Sequence, residues 1–252
     1  MHIVVIQRMV ADVVEELELD PDGLSLLEGS VRYITNELDE HALEQALLLK
    51  ERHRAKVTAI VVGIEEADQA LAAALAKGAD EGLKLVTDFG RWRDNHRLAS
   101  LLSSVLKELD LDLILTGVQA IDDLDGSLGG ILAAQLDLPY CGSIASLRVD
   151  SEAQKAVVEK EYPGGLLGVM EVSLPAILGI GSAERPPRYV PVSKIRYAMR
   201  SMSPREVSEA PEAEIGVSIV GMAKPEASKA EMIAGSPEEI AERVVSILKE
   251  SG

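Results

Sequence analysis

The stretch LDLILTGVQAIDDLDGSLGG, residues 111–130, combines an aliphatic run, a loop rich in glycine and aspartate, and the start of a helical pattern. Its first part, 111–117, has the continuously apolar character of a strand that a parallel sheet buries on both faces. Ligands of open α/β sheets bind at the carboxyl ends of the strands, which is where such a loop lies. Residues 111–130 therefore indicate both a fold class and the place of a binding site.

The same alternation of strands and helices runs through the first half of the chain. Helices are predicted from about Glu37 with Asn36 as N-cap, over 67–77 before Gly78, from near Asp94, and after the loop to about Leu136. The other strand candidates are HIVVI (2–6), VTAIVVG (57–63) and LKLVT (83–87). This order predicts a doubly wound parallel sheet of the α/β class with right-handed crossovers.

The pattern changes after Pro139. KAVVEKEY (155–162) and LLGVMEV (166–172) flank Pro-Gly-Gly and predict a β-hairpin, and PAILGIG (175–181) predicts another buried strand. From Ser182 the chain is rich in proline and lacks the periodicity of a core. It ends in an amphipathic helix that Ser236 and Glu239 open as a capping box. We expect a domain over 1–181 and an extended arm and helix over 182–252 that pack on the body or on another subunit.

Composition excludes several classes of protein. The chain has 252 residues, of which 47% are hydrophobic, and a net charge of −17, which opposes binding to a nucleic-acid backbone. Its single cysteine excludes an internal disulfide, and no apolar run reaches the roughly 18 to 20 residues that span a bilayer. The start MHIVVIQRMV is not a secretory segment, so we expect a cytoplasmic protein.

Residues for metal binding or nucleophilic catalysis are not arranged in a known pattern. The four histidines show no metal-ligand spacing, and Cys141 has no histidine near it in sequence. We expect no metal and no catalytic residue. The histidines are His2, His41, His53 and His96.

The glycine-rich loop has two interpretations of equal weight. Gly126, Gly129, Gly130, the Ser127 hydroxyl and the first helical N–H groups could cradle a phosphate, or the loop could be a turn whose aspartates cap a helix. Its aspartates would repel a phosphate that they faced, so we expect them to face ribose hydroxyls, backbone N–H groups or solvent. The end of the first strand, Val5 to Arg8, would line the same edge, unless Arg8 is only a surface residue.

Five stretches, in order, are similar to the beta subunit of electron-transfer flavoproteins. The family strand ends in a Lys-Arg type pair, and Gln7 replaces the lysine. The stretches are HIVVIQR (2–8), NELDEHALEQALLLKE (36–51), ALAKGAD (74–80), LILTGVQAIDD (113–123), and VEKEYPGGLLGVMEVSLPAIL (158–178) with PPRY (186–189).

This resemblance implies a flavodoxin-like, adenine-nucleotide-binding fold and a heterodimer with an alpha subunit that holds most contacts to the redox-active FAD. Electrons would come from acyl-CoA or related dehydrogenases and leave to a quinone oxidoreductase or another acceptor. The beta subunit would have no turnover of its own. It would bind AMP structurally or, in electron-bifurcating members, a second FAD.

The resemblance also implies the residues of the nucleotide site. AMP-binding members read Asp-Asp-Asp-Cys-Asn-Gln-Thr-Gly where this chain has DDLDGSLG at 122–129, so the polar side chains that meet a phosphate are missing. The bifurcating pattern, Asp-Gly-Asp-Thr-Ala-Gln-Val-Gly, differs as well, and the paired Asp122 and Asp123 favour AMP. The implied site is Val5, Asn36, Glu37, Leu38, Asp39, Val62, Gly117, Gln119, Ala120, Asp122, Asp123, Asp125, Gly126, Ser127, Leu128 and Gly129.

A partner-recognition loop follows Pro-Arg-Tyr in the family, which would be 190–196 here. The docking residues would be Arg188, Tyr189, Val192 and Ile195. Val192 takes the place of an anchoring leucine that enters a pocket on the dehydrogenase, or else packs against the alpha subunit. The family's lysine-rich run is thinned to Lys194, Arg196, Arg200 and Arg205.

Two other functions fit parts of the chain. A homodimeric, stress-type switch protein that binds ATP or AMP would explain the first 137 residues, but not the hairpin or the arm. An ATP-pyrophosphatase-type enzyme needs a Ser-Gly-Gly loop after the first strand, and QRMVADVVE (7–15) has none.

Overall fold

The computed structural model describes residues 1–27, 29–63, 67–86, 94–123, 125–150, 152–207, 219–225 and 232–250. The chain forms two compact units, Met1–Met222 and Ala223–Gly252. The strands are β1 (His2–Ala11), β2 (Tyr33–Thr35), β3 (Lys56–Gly63), β4 (Glu81–Val86), β5 (Leu113–Gly117), β6 (Tyr140–Asp150), β7 (Lys155–Tyr162), β8 (Leu166–Ser173), β9 (Ala176–Ile180) and β10 (Arg205–Val207). The helices are α1 (Glu37–His53), α2 (Ala67–Lys77), α3 (Asn95–Leu106), α4 (Leu128–Leu136), α5 (Val192–Ser201) and α6 (Pro237–Glu250).

All ten strands belong to one sheet in the first unit, with the order β10-β4-β3-β1-β5-β9-β6-β7-β8 and with β2 paired to the end of β1. The pairs from β10 to β6 are parallel, and the β6-β7-β8 meander is antiparallel. The chain winds outward from β1 through β3 to β4, then returns to place β5 on the other side of β1. The strand order therefore reverses between β1 and β5, where the parallel pairing of β1 with β3 ends at Arg8 and β5 ends at Gly117.

Helices cover both faces of the sheet because successive strand residues point to opposite sides. Ile3 and Val5 of β1 belong to the hydrophobic cluster that contains α1 and α2, whereas Val4 and Ile6 belong to the cluster with α3 and α4. All four side chains are fully buried. This alternation confirms the predicted doubly wound α/β fold.

The predicted hairpin and the capping box of α6 are present. β7 and β8 pair antiparallel from Lys155↔Ser173 to Tyr162↔Leu166. In the second unit, the Ser236 N–H donates to Glu239 at 2.8 Å, and the Glu239 N–H donates back to the Ser236 hydroxyl at 3.3 Å. None of the helices among the described residues is long and apolar enough to cross a membrane.

The arm is more regular than its sequence predicts. Its first part, residues 183–188, lies along α1, and we call it the strap; α5 then packs on α2, and β10 adds a parallel strand beside β4. The proline-rich flanks made a helix at α5 hard to predict from the sequence. Pro191 at its N-cap position is nevertheless compatible with a helix start, and no glycine or proline interrupts 192–201. Residues 208–218 and 226–231 of the expected arm, and Thr87 of a predicted strand, lie outside the described residues.

The strap covers a polar face of α1. The strap residue Arg188 donates three guanidinium hydrogen bonds of 2.8–3.1 Å to Glu44 and one of 2.8 Å to Glu51. Its neighbour Glu184 accepts hydrogen bonds from both Arg52 and Gln45. Glu44 and Gln45 are buried as a result, although both are polar.

Candidate functional site

A buried ion pair lies at the carboxyl edge of the sheet, at the point where the strand order reverses. Asp39, in the first turn of α1, accepts hydrogen bonds from the Arg8 N–H (2.8 Å), Nε (3.0 Å) and Nη2 (3.0 Å). It also accepts the Gly117 N–H at 2.8 Å, so one carboxylate joins β1, α1 and β5. Asp39 is 0% exposed and Arg8 is 5% exposed. We call Arg8, Asp39 and Asp123 the arginine cluster.

Asp123 supplies the second carboxylate of the arginine cluster. Its Oδ2 accepts Arg8 Nη1 at 2.7 Å, and its Oδ1 accepts the Ala120 N–H at 2.9 Å. Burial acts to lower the pKa of Arg8, but the charges of Asp39 and Asp123 and the hydrogen bond to Asp39 outweigh it, so this pKa is raised. Arg8 is therefore a permanent cation whose charge the chain itself neutralises.

Asn36 fastens the loop to α1 instead of capping the helix with its side chain. It occupies the predicted N-cap position, yet its side chain makes no capping hydrogen bond. Its Nδ2 donates to the Gln119 carbonyl at 2.9 Å. The expected cap is therefore wrong in its bonding, and the amide instead fixes the 117–123 segment against α1.

Asn95 holds the second half of the loop. This first residue of α3 donates from Nδ2 to Asp125 (2.9 Å), to the Ser127 hydroxyl (3.1 Å) and, at 3.4 Å, to Asp123. Asp125 also accepts the Ser127 N–H at 3.1 Å, directly before α4. Two of the loop aspartates thus bind backbone N–H groups of the loop, which is one of the three orientations that the sequence left open.

Two loop glycines allow close approaches by side chains of the chain itself. A Cβ on Gly117 would lie 2.4 Å from Asp39 Oδ1, and one on Gly129 would lie 2.6 Å from Cε2 of Tyr140. The Tyr140 ring, at the start of β6, lies against the first turn of α4. Burial and the neighbouring Cys141 raise the pKa of the Tyr140 phenol, and the positive charge of Arg8 acts in the opposite direction.

The implied nucleotide residues divide into a buried and an exposed set. Val5 and Val62 are core residues that lie in different clusters on opposite faces of the sheet. Asn36, Asp39, Gly117, Ala120, Leu128 and Gly129 are also buried. The remaining residues are exposed or half-buried: Glu37, Leu38, Gln119, Asp122, Asp123, Asp125, Gly126 and Ser127.

Sequence reasoning placed Arg8 at this edge as one of two alternatives, and it missed Asn95 and Tyr140 as parts of this site. The signal for Arg8 was a charged residue that follows an apolar strand pattern. Asn95 follows the helix N-cap Asp94, and Tyr140 follows a proline, and neither position carries a pattern that indicates contact with the loop.

The expected docking residues do not form a loop. Residues 192–201 are α5, which corrects the expectation for 190–196, and Tyr189 and Val192 are 85% and 57% exposed. Ile195 is half-buried. Arg188 is occupied by Glu44 and Glu51, so its guanidinium attaches the strap to α1.

Other features of the structure lie away from this edge. A surface cavity of about 720 Å³ lies at the amino ends of β3 and β4, and Lys50, Lys56, Asp80 and Arg188 contribute to its lining. Burial raises the pKa of the Cys141 thiol, so it is not an activated thiolate. The described residues contain no group of three or more His, Cys, Asp or Glu side chains that could hold a metal ion.

Comparison with known proteins shows to which family the chain is similar. A family described as "Electron transfer flavoprotein domain" matches residues 23–215. Electron transfer flavoprotein subunit beta of Methylophilus methylotrophus is 31% identical over 264 aligned residues, which cover 99% of this chain and 98% of the relative. The subunit beta of Bacillus subtilis is 28% identical (99% of this chain, 98% of the relative), and that of Bos taurus is 29% identical (97% and 95%).

The alignment with the Methylophilus protein includes the 117–130 loop, the β7-β8 hairpin, the strap and α5. It therefore covers both the candidate site and the arm. By this near full-length similarity and by its fold, the chain belongs to the electron transfer flavoprotein family, as a beta subunit.

Proposed function

We propose that the chain pairs with an alpha subunit to form a heterodimeric, FAD-containing electron carrier. The carrier takes electrons from acyl-CoA or related dehydrogenases and passes them to a quinone oxidoreductase or another acceptor, in the cytoplasm and in the service of fatty acid oxidation. The similarity over the whole chain, arm included, carries this proposal. The beta subunit has no turnover of its own, because its buried, paired arginine cluster offers neither a nucleophile nor a general base.

Exposed apolar side chains support a partner at the carboxyl edge. Val13 and Val14 follow β1, Ile34 lies in β2, and Ile121 lies in the loop; all four are exposed. Such side chains gathered at one edge are typical of a surface that a partner covers. We assign this edge to the alpha subunit and its FAD.

The side chains around α5 support transient docking of a dehydrogenase. The docking residues are the exposed Tyr189 and Val192 and the half-buried Ile195, and Arg188 fixes the segment that carries them. A single apolar anchor such as Val192 buries little area, so it provides specificity and still allows rapid release.

Co-expression with the alpha subunit tests the carrier function. The chain alone should lack a stable flavin spectrum, and the co-expressed pair should elute as a 1:1 complex with FAD absorbance. A yellow monomer, or a homodimer that retains ATP, would contradict the proposal, and the homodimer would favour the switch protein. Whether AMP or a second FAD also occupies the beta subunit, as the resemblance implies, depends on the arginine cluster.

A further inference from the structure

Two groups of the described residues at this edge would attract a nucleotide phosphate. One is the guanidinium of Arg8, where the parallel pairing of β1 with β3 ends, since arginine binds phosphates through a planar pair of N–H donors. The other is the amino-terminal end of α4, where backbone N–H groups favour an anion. Either group would serve a nucleotide that binds at this edge.

Carboxylates of the chain already occupy the guanidinium of Arg8 and one N–H group at the start of α4. Nε and Nη2 of Arg8 bind Asp39 at 3.0 Å each, and Nη1 binds Asp123 at 2.7 Å. At α4, Asp125 accepts the Ser127 N–H at 3.1 Å and is held by Asn95 at 2.9 Å. The guanidinium of Arg8 is therefore bound within the chain, and a carboxylate already lies at the amino-terminal end of α4.

The glycines of the loop are used in the same way. Gly117 leaves room for the Asp39 side chain and Gly129 leaves room for the Tyr140 ring, because a Cβ at either position would overlap these side chains. The close backbone approach that a phosphate cradle needs is thus taken up by protein atoms. Asn36, Asp39 and Ala120 are each 5% exposed or less, so a ligand could not touch them without displacing the loop.

Local charge acts in the same direction. Asp39, Asp123 and Asp122 all act electrostatically on Arg8. Because these three carboxylates outweigh one guanidinium among the described residues, an added phosphate dianion would meet net repulsion there. The residues present do not fit an AMP phosphate or the pyrophosphate of a second FAD.

We infer that Asp39 and Asp123 take the place of a nucleotide phosphate as the counter-anions of Arg8, so that the nucleotide crevice of this beta subunit is closed and holds no nucleotide. The inference rests on the proposed function, because it concerns which nucleotides the heterodimer carries: one FAD shared with the alpha subunit, without AMP or a second FAD.

Acid extraction of the purified native heterodimer, followed by mass identification, tests the inference. We expect one FAD per heterodimer and no AMP, and no heat of binding when the heterodimer is titrated with AMP. Stoichiometric AMP, a second FAD, or saturable AMP binding would overturn it. Extraction of the chain without its partner separates the two proposals: a missing FAD-containing heterodimer counts against the carrier function, whereas AMP in either sample overturns the closed crevice.

Variants test whether Asp39 is the reason. In the heterodimer, Asp39→Ala frees two guanidinium donors, so inorganic phosphate should bind about tenfold or more tightly than to the wild type. Asp123→Asn keeps Asp39 and serves if Asp39→Ala does not fold, with a smaller gain. Asp137→Asn, at the exposed C-cap position of α4, is the control of equal charge change and should behave like the wild type. Equal phosphate binding by the wild type and all variants would overturn the role of Asp39.

Discussion

Lys77 of α2 supplies the positive charge next to Glu40 of α1. The two side chains form an ion pair, and Gln7 of β1 donates to the same carboxylate at 3.2 Å. The resemblance implies a lysine at the position of Gln7, and the buried Oε1 of Gln7 has no hydrogen-bond partner among the described residues. The cation next to Glu40 therefore comes from α2 instead of β1.

Because Lys77 supplies the cation that a lysine at position 7 could supply, a substitution at one position should compensate for a substitution at the other. Lys77→Met leaves the half-buried Glu40 without its cation, so we expect a loss of about 1–2 kcal/mol in the free energy of unfolding, measured by urea denaturation. Gln7→Lys added to Lys77→Met should restore part of it. Lys107→Met, at an exposed lysine, is the control and should change little. If the effects of Lys77→Met and Gln7→Lys simply added in the double variant, the two positions would not compensate for each other.

The Arg188–Glu44 contact predicts a dependence of stability on pH. Burial raises the pKa of Glu44, but the hydrogen bonds and charge of Arg188 outweigh it and leave this pKa lowered. A carboxyl whose pKa is lowered by folding stabilises the fold above its unfolded value of about 4.3, and this contribution is lost as pH falls through the folded value. Arg188→Met should therefore cost about 2 kcal/mol at pH 6 and much less at pH 3.

Thermal unfolding of the wild type and Arg188→Met between pH 3 and pH 7 measures that difference. Arg148→Met, which removes an exposed arginine in a loose pair with Glu159, is the control and should give parallel curves. A gap between the wild type and Arg188→Met that stays constant down to pH 3 would show that Glu44 is not the titrating partner.

At the scale of single residues, sequence predicts the position of the nucleotide loop but not the partners within it. Arg8 and Asp39 are 31 residues apart in the chain, and their contact depends on how β1, β5 and α1 come together. Asn36 has the sequence context of an N-cap, but its amide instead binds the Gln119 carbonyl, which lies 83 residues away.

At the scale of elements, the two adjacent glycines of α4 should respond in opposite ways to alanine. A Cβ on Gly129 would lie 2.6 Å from the Tyr140 ring, so Gly129→Ala should lower the free energy of unfolding by about 1–3 kcal/mol. A Cβ on Gly130 would lie 3.8 Å from the same ring, an ordinary contact. Gly130→Ala should therefore be neutral or stabilise by up to about 1 kcal/mol through helix propensity.

Urea denaturation of both variants tests this packing of α4 against β6. Replacing Tyr140 with alanine in the Gly129→Ala background should recover part of the loss, because the overlap is removed. If Gly129→Ala and Gly130→Ala were equally stable, the ring could not lie where the structure places it.

Elements whose apolar residues recur with a strong period were predictable from the sequence. Elements that form only through contact with neighbouring elements were not. β1, β3, β5, α1 and α2 follow their apolar patterns closely. β6 reads YCGSIASLRVD, whose glycine and serines dilute the pattern of a strand. The three-residue strands β2 and β10 exist because β1 and β4 offer free edges to pair with, which no local propensity shows.

At the scale of the whole molecule, β8 ends one side of the sheet with apolar residues on the outside. Leu166, Leu167 and Val169 are exposed, and no described strand pairs with the far side of β8. An exposed apolar edge strand favours association between copies. We therefore expect the isolated chain to self-associate as its concentration rises.

Val169→Lys should reduce that self-association, because an outward lysine on an edge strand opposes pairing. Light scattering of the isolated chain against concentration measures the effect, and the unfolding temperature should stay unchanged, since Val169 is solvent-exposed. Val220→Lys makes the same change at an exposed valine outside β8 and is the control for charge alone. Equal scattering by the wild type and Val169→Lys would mean that association uses another surface.

The fold class, the sheet core and the family could all be predicted from the sequence because they rest on local patterns and on motifs that keep their order. The closed state of the crevice could not, because it depends on carboxylates from α1 and from the 117–130 loop meeting one arginine. The arm was expected to lack structure because its prolines suppress the helical pattern. Its order comes from contacts with α1, α2 and β4.

The position of β10 has a consequence for how the protein is made. β10 pairs with β4 through Arg205↔Leu83, so the strand that completes this side of the sheet is translated about 120 residues after its neighbour. While the ribosome synthesises the intervening segment, the growing chain exposes the bare side of β4. Such an unpaired edge is a site for misassembly during synthesis. The nascent chain is thus most in need of chaperone protection until its last quarter has emerged.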